Sequence, residues 1–189
     1  MRPLLAVAAR PAYAARMSAA VTVDLAPAFE QPLLEGLMQF YLYDFSEMEP
    51  DGSDDFEFEP NGLFHPYRYL PDYWREAGRT PLVIRRDGRP VGFALLNQHS
   101  HRNGGHVERN MAEFFVARKH RRHGVASQAV RLILAANPGR WEVAVVARNA
   151  AAQSFWPRAI ASAPNVSDLV RHEGDGQHWR GPIWSFLAS

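Results

Sequence analysis

Apolar positions along the chain change period several times, and each change marks an element. Val21-Thr22-Val23-Asp24-Leu25 alternates like a strand. Leu33, Leu34, Leu37, Met38, Tyr41 and Leu42 then recur three and four apart, the stripe of an amphipathic helix that runs out at Asp44. The acid-rich stretch from Met48 to Asn61 reads as a long loop, and Pro71 to Gly78 as a short helix begun by proline and ended by glycine. The period next drops to two. Leu82 to Ile84 and Val91 to Leu96 flank Arg86-Asp87-Gly88-Arg89, the Asp-Gly signal of a hairpin. After a polar break from His99 to Gly105, Met111 to Val116 is another strand. Val125, Ala129, Leu132, Ile133 and Ala136 return to helical spacing and stop at Asn137-Pro138-Gly139. Trp141 to Ala147 is a strand, Asn149 opens a helix carrying Phe155-Trp156, and Val166 to Arg171 and Ile183 to Leu187 close the chain as strands. The order β, α, α, β, β, β, α, β, α, β, β, without repeats or linkers, describes one mixed α/β domain.

Composition removes several alternatives. The 189 residues include no cysteine, so a disulfide scaffold and any Cys-ligated metal are excluded, and no apolar run reaches membrane-spanning length. The start, with three arginines, many alanines and no acid, has an apolar core from Leu4 to Ala9 too short for a secretory signal. Residues 1–17 are therefore expected to be a disordered or mis-started tail, with Met17 as an alternative initiator. The folded domain is expected over 18–189, in the cytoplasm and without a membrane partner.

Net charge is only +1, but the two signs are segregated. Eight acids and no base lie between Asp44 and Glu59, whereas Arg118 to His123 reads RKHRRH. The basic run sits between the end of a strand and the start of a helix, in Arg121-Arg122-His123-Gly124-Val125-Ala126. The first turn of a helix has unpaired N–H groups and the positive end of the dipole, which together hold a phosphate. Gly124 and Ala126 are small enough to admit the ligand to the backbone. The alternative is a plain basic helix start whose glycine merely eases the turn.

The stretch EFFVARKHRRHGVA (Glu113 to Ala126), followed by a helix, a strand and Asn149-Ala150-Ala151-Ala152-Gln153-Ser154-Phe155-Trp156, resembles the GCN5-related N-acetyltransferase (GNAT) superfamily. The resemblance covers nearly the whole chain from Val21 to Leu187. It implies an α/β fold with a central twisted sheet, splayed fourth and fifth strands and about four helices. It further implies acetyl-CoA as cosubstrate, with its pantetheine arm along Phe114, Phe115 and Val116. Its diphosphate would lie on the backbone from Arg121 through Arg122, His123, Gly124 and Val125 to Ala126, and Asn149 would contact the arm or tie down the splay. A homodimer is compatible with this reading.

Acetyl transfer to an amine needs a base and a proton for the departing thiolate. Glu113 is the candidate base, with a structural or solvent-facing role as its alternative and Glu108 and Glu142 as fallbacks. Trp156 departs from the family, where a tyrosine commonly stands to protonate coenzyme A; an indole cannot supply that proton. Water or a phenol such as Tyr41, Tyr43 or Tyr73 must then do so, or the chemistry is impaired. Pro157 is a second departure, expected to kink or end its helix. His99, His101 and His106 lack a convincing fourth ligand, so no metal is expected. Asp44 and Glu47, in the segment that walls the acceptor cleft in this fold, are the candidate substrate residues for a small cationic amine; a solvated loop is the alternative. The chain is thus read as an acetyl-CoA-dependent N-acetyltransferase acting by direct attack in a ternary complex. A non-catalytic acyl-CoA-binding domain is the first rival, and the acids argue against a nucleic-acid partner.

Overall fold

The computed structural model describes residues 20–189, so the expected tail over 1–17 lies outside the described residues. Seven strands form one sheet: β1 (Val21–Leu25), β2 (Thr80–Arg86), β3 (Arg89–His99), β4 (His106–Val116), β5 (Gly139–Ala144), β6 (Val166–Glu173) and β7 (Pro182–Ala188). Their order across the sheet is β1-β2-β3-β4-β5-β7-β6. The α-helices are α1 (Gln31–Ser46), α2 (Val125–Ala136) and α3 (Ala150–Ala161).

The expected order is met, with local differences. The short helix expected from Pro71 is a 3₁₀ turn over Leu70–Trp74, so among the described residues three α-helices and this turn stand where about four helices were expected. β4 starts at His106 rather than Met111, because its polar first half extends the hairpin with β3 down to the His99–His106 pair. α3 runs through Pro157 to Ala161 instead of ending there. The β2–β3 turn is made by Asp87 and Gly88, both at positive φ (53° and 76°), as a two-residue hairpin requires.

Both faces of the sheet are covered. Leu34, Met38 and Leu42 of α1 pack on Val83, Phe93, Leu95 and Phe115. On the other face Val130, Ile133 and Leu134 of α2, with Trp156 and Ile160 of α3, cover Ala94, Leu96, Trp141 and Val143. Alternation along β3 therefore sends Phe93 and Leu95 to one layer and Ala94 and Leu96 to the other.

Two irregularities in β4 create the site. Leu95 stands opposite Glu113 and Leu96 opposite Met111, so Ala112 is an extra residue, a β-bulge. The bulge reverses the parity of the strand: Met111 joins the α2/α3 layer, while Glu113 turns to α1. The second irregularity is the pairing of β4 with its parallel neighbour β5, which among the described residues is limited to Arg109–Trp141 and Asn110–Glu142. Beyond that point the strands part. Val145 and Ala147 continue to bond only on the far side, to Pro182 and Arg180, which is why β5 ends at Ala144 rather than Ala147.

Close approach of β3 to the upper half of β4 requires Gly92, where a Cβ would lie 2.1 Å from the Phe115 carbonyl oxygen. Gly92→Ala is expected to destabilise the fold by about 1–3 kcal/mol, the usual cost of overpacking, measured as a lower urea midpoint at unchanged slope.

Candidate active site

Glu113 is reached from two segments far away in sequence. Tyr41 on α1 donates its hydroxyl to Glu113 Oε2, and Tyr67, in the stretch after the acid-rich loop, donates to Oε1 at 2.9 Å. Tyr41 is itself fixed edge-on against Phe93 and Phe115, with ring centroids 5.8 and 6.2 Å away. Burial raises the carboxyl pKa above its ordinary value, and the two phenol hydrogen bonds oppose that rise by favouring the anion. Burial and the neighbouring carboxylate push both phenols well up, so Tyr41 and Tyr67 stay protonated at neutral pH.

The carboxylate opens on a cavity of about 620 Å³. Its lining includes Ala112 and Glu113 of β4, Tyr41 and Phe45 of α1, Val146 from beyond the splay, and Trp179 from the β6–β7 connection. The volume lies in the range of small-molecule sites.

At the end of β4 the chain enters the basic turn. Arg122 and Gly124 both take positive φ, 61° and 77°, on either side of His123. Among the described residues no acceptor takes the amides of Arg122, His123 or Gly124, and α2 begins at Val125, so its first amides are also free of intrahelical partners. A Cβ at Gly124 would meet nothing within 4 Å. The result is an open concavity of N–H groups on a helix N-terminus, with Arg118, Lys119, Arg121 and Arg122 around it.

Residues 44–160 match the family model described as the acetyltransferase (GNAT) family. The chain belongs to that family. No curated protein matches it. Among solved structures it is similar to an acetyltransferase from Thermus thermophilus (17% identity, 89% of this chain and 97% of that chain, TM-score 0.59). It is also similar to the diaminobutyrate acetyltransferase of Paenibacillus lautus, solved with 2,4-diaminobutyric acid and coenzyme A (19%, 90% and 96%, TM-score 0.56). A third is an aminoglycoside acetyltransferase solved with coenzyme A and kanamycin (14%, 89% and 95%, TM-score 0.58).

In this GNAT acetyltransferase the other candidate residues fall in different places. Phe115 is buried under α1 and Val116 beside Val125 and Ala129, while Phe114 stacks on Phe155 and meets Trp156 edge-on at 5.2 Å. Trp156 is buried core beneath the splay. Asn149 caps α3, accepting from the Ala152 amide at 2.9 Å. Glu108 accepts from the Arg140 amide and Glu142 is buried against Ser100, so neither fallback base lines the cavity. Of the candidate phenols, Tyr43 is 55% exposed on α1 and Tyr73 is buried in the adjoining core, leaving Tyr41 on the cavity. Tyr67, Asn97, Tyr69 and Trp179 line the cavity without having been singled out; the density of aromatics from Phe64 to Trp74 was the one hint in the sequence.

Asp44 and Glu47 do not line the cavity. Asp44 takes both Arg118 (Nε, 2.7 Å) and Arg121, and Glu47 takes Arg118 Nη2 at 2.8 Å. Glu49 similarly takes Arg148 at 2.8 Å. The acidic segment thus neutralises the arginines at the tips of the parted strands. Asp44→Asn takes the carboxylate from Arg121 and leaves Arg118 on Glu47 alone, beside the candidate anion site, and is expected to lower the Kd for coenzyme A several-fold in calorimetry at low salt. That gain should shrink as ionic strength rises past ~0.15 M.

Proposed function

We propose that the protein moves the acetyl group of acetyl-CoA directly to the primary amine of a small cationic acceptor, both substrates being bound together, with Glu113 as the base. The observation that carries this reading is Glu113: a carboxylate of raised pKa, held by two phenols, facing a cavity at the point where β4 and β5 part. Among the described residues, the edge of β4 from Phe114 to Val116, which no strand pairs and on which only the Val116 carbonyl is taken, by Arg121 Nε at 2.6 Å, suits the pantetheine arm, and the free amides from Arg122 to Ala126 suit the diphosphate. Two structural neighbours solved with coenzyme A also hold amine acceptors, which supports the same pairing of substrates here.

Acetyl-CoA supplies the acetyl group as a thioester, so the barrier left to the protein is proton management and orientation. Glu113 takes a proton from the bound ammonium, freeing its lone pair. As the C–N bond forms and the C–S bond breaks, the nitrogen sheds a second proton and the thiolate gains one. Tyr67, hydrogen-bonded to Glu113 and kept protonated, hands its proton across the cavity and is resupplied from the Glu113 carboxyl. One proton then returns to solvent, and Trp156 has no part in the exchange.

Glu113→Gln is expected to lower kcat by about 10²–10⁴ while coenzyme A still raises the melting temperature; loss of that shift would make Glu113 structural. Because the base must be ionised, kcat/KM should fall as pH drops through the raised pKa of Glu113. Tyr67→Phe removes a hydrogen bond that favours the anion, so this acid limb should move to higher pH. A limb that stayed put would disconnect Tyr67 from the base.

A further inference from the structure

The acid-rich segment was the one sequence feature suggesting a cationic acceptor, and none of its acids lines the cavity: Asp44, Glu47 and Glu49 pair with arginines and Glu59 with His65, while Asp51, Asp54, Asp55 and Glu57 lie outside the lining. Among the residues lining the cavity, Glu113 is the sole acid. The lining also contains Arg79, a permanent cation whose guanidinium lies 5.3 Å from the Tyr73 ring and whose Nε donates to Glu76. A second ammonium on the acceptor would find no carboxylate there and would share the cavity with Arg79.

The remaining wall is aromatic. Phe45 and Phe56 lie with ring centroids 6.1 Å apart, next to Tyr41 at 4.6 Å from Phe45. Tyr67 and Tyr69 meet edge-on at 5.9 Å. On the β3–β4 hairpin His101 packs on Trp179 at 4.4 Å, and burial beside His99 lowers its pKa to about 4, so it adds an uncharged ring at neutral pH. The indole of Trp179 is held by its bond to the Val145 carbonyl, 3.1 Å. Rings fixed around one carboxylate favour a single cation and a flat apolar body.

We infer, on the acetyltransferase reading above, that the acceptor is a monoamine carrying an aromatic or similarly flat apolar group. Its ammonium meets Glu113 and its ring lies among Phe45, Phe56, Tyr69 and Trp179; polyamines and aminoglycosides are disfavoured acceptors.

Free-thiol release with saturating acetyl-CoA, read as kcat/KM for phenethylamine, tyramine, tryptamine, ethylamine, spermidine and kanamycin, tests this. The aromatic monoamines should exceed spermidine and kanamycin by at least ~30-fold, the scale on which a shaped apolar pocket discriminates. Phe56→Ala and Tyr69→Ala, checked by melting temperature to be folded, should lower kcat/KM for tryptamine ~10-fold more than for ethylamine, chiefly through KM. Spermidine or kanamycin turning over as fast as tryptamine, or equal losses for tryptamine and ethylamine in both variants, would overturn the inference and leave the acetyltransferase reading standing. No thiol release with any amine and no melting shift with coenzyme A would overturn both.

Discussion

The site depends on the parting of two parallel strands that should have gone on pairing. A buried backbone edge without hydrogen-bond partners is costly, and β4 beyond Asn110 presents one toward β5 as far as Val116, whose carbonyl accepts from Arg121 Nε. The packing below the gap holds it open. Phe114 of β4 is wedged against Phe155 and Trp156, and Val143, Val145 and Trp184 continue the same layer on the β5 side. Large side chains under the gap keep the strands from closing without unpacking α3. On the proposed reading, the unmet hydrogen-bonding capacity is binding capacity for an extended, amide-bearing chain such as pantetheine.

Charge is arranged around the same gap. Arg118 and Arg121 follow β4 and Arg148 follows β5, so the two strand tips carry positive charge where they separate. Acids from the C-terminal end of α1 reach both tips. They damp the repulsion across the gap and occupy side chains that would otherwise reach for phosphate, which leaves the grip on an anion largely to backbone amides. Such a grip depends on chain conformation, hence the positive φ at Arg122 and Gly124.

Much of the frame was legible in the sequence because it rests on short-range patterns. The Asp87-Gly88 turn, the stripe of α1, the α2 period ending at Asn137-Pro138-Gly139 and the glycine at the start of α2 each declare themselves within a dozen residues. What joins them is not local. Glu113 and Tyr41 are 72 residues apart, Glu113 and Tyr67 46, and Arg118 and Asp44 74. The Ala112 bulge is equally hidden: MAEFFV alternates acceptably in either parity, and only packing against both layers fixes which side Glu113 takes. Trp156 looked like a defect beside the family pattern because a sequence shows a missing hydroxyl but not the Phe114–Phe155 stack that the indole closes edge-on.

Glu113 reconciles two opposed demands. A base that works at neutral pH must have a pKa above that of a solvated carboxylate, which burial provides; a carboxylate buried without partners would simply stay protonated. Two phenol donors offset part of the desolvation and keep the anion accessible, and because burial and the carboxylate raise their own pKa values they stay protonated while Glu113 is the anion. The same arrangement leaves no room for a second acid, since a neighbouring carboxylate would raise the pKa of Glu113 further and hold it protonated. With Glu113 as the proposed base, its control constrains the rest of the cavity: selectivity beyond the first ammonium has to come from uncharged surface, and aromatic rings can provide it while still favouring a cation.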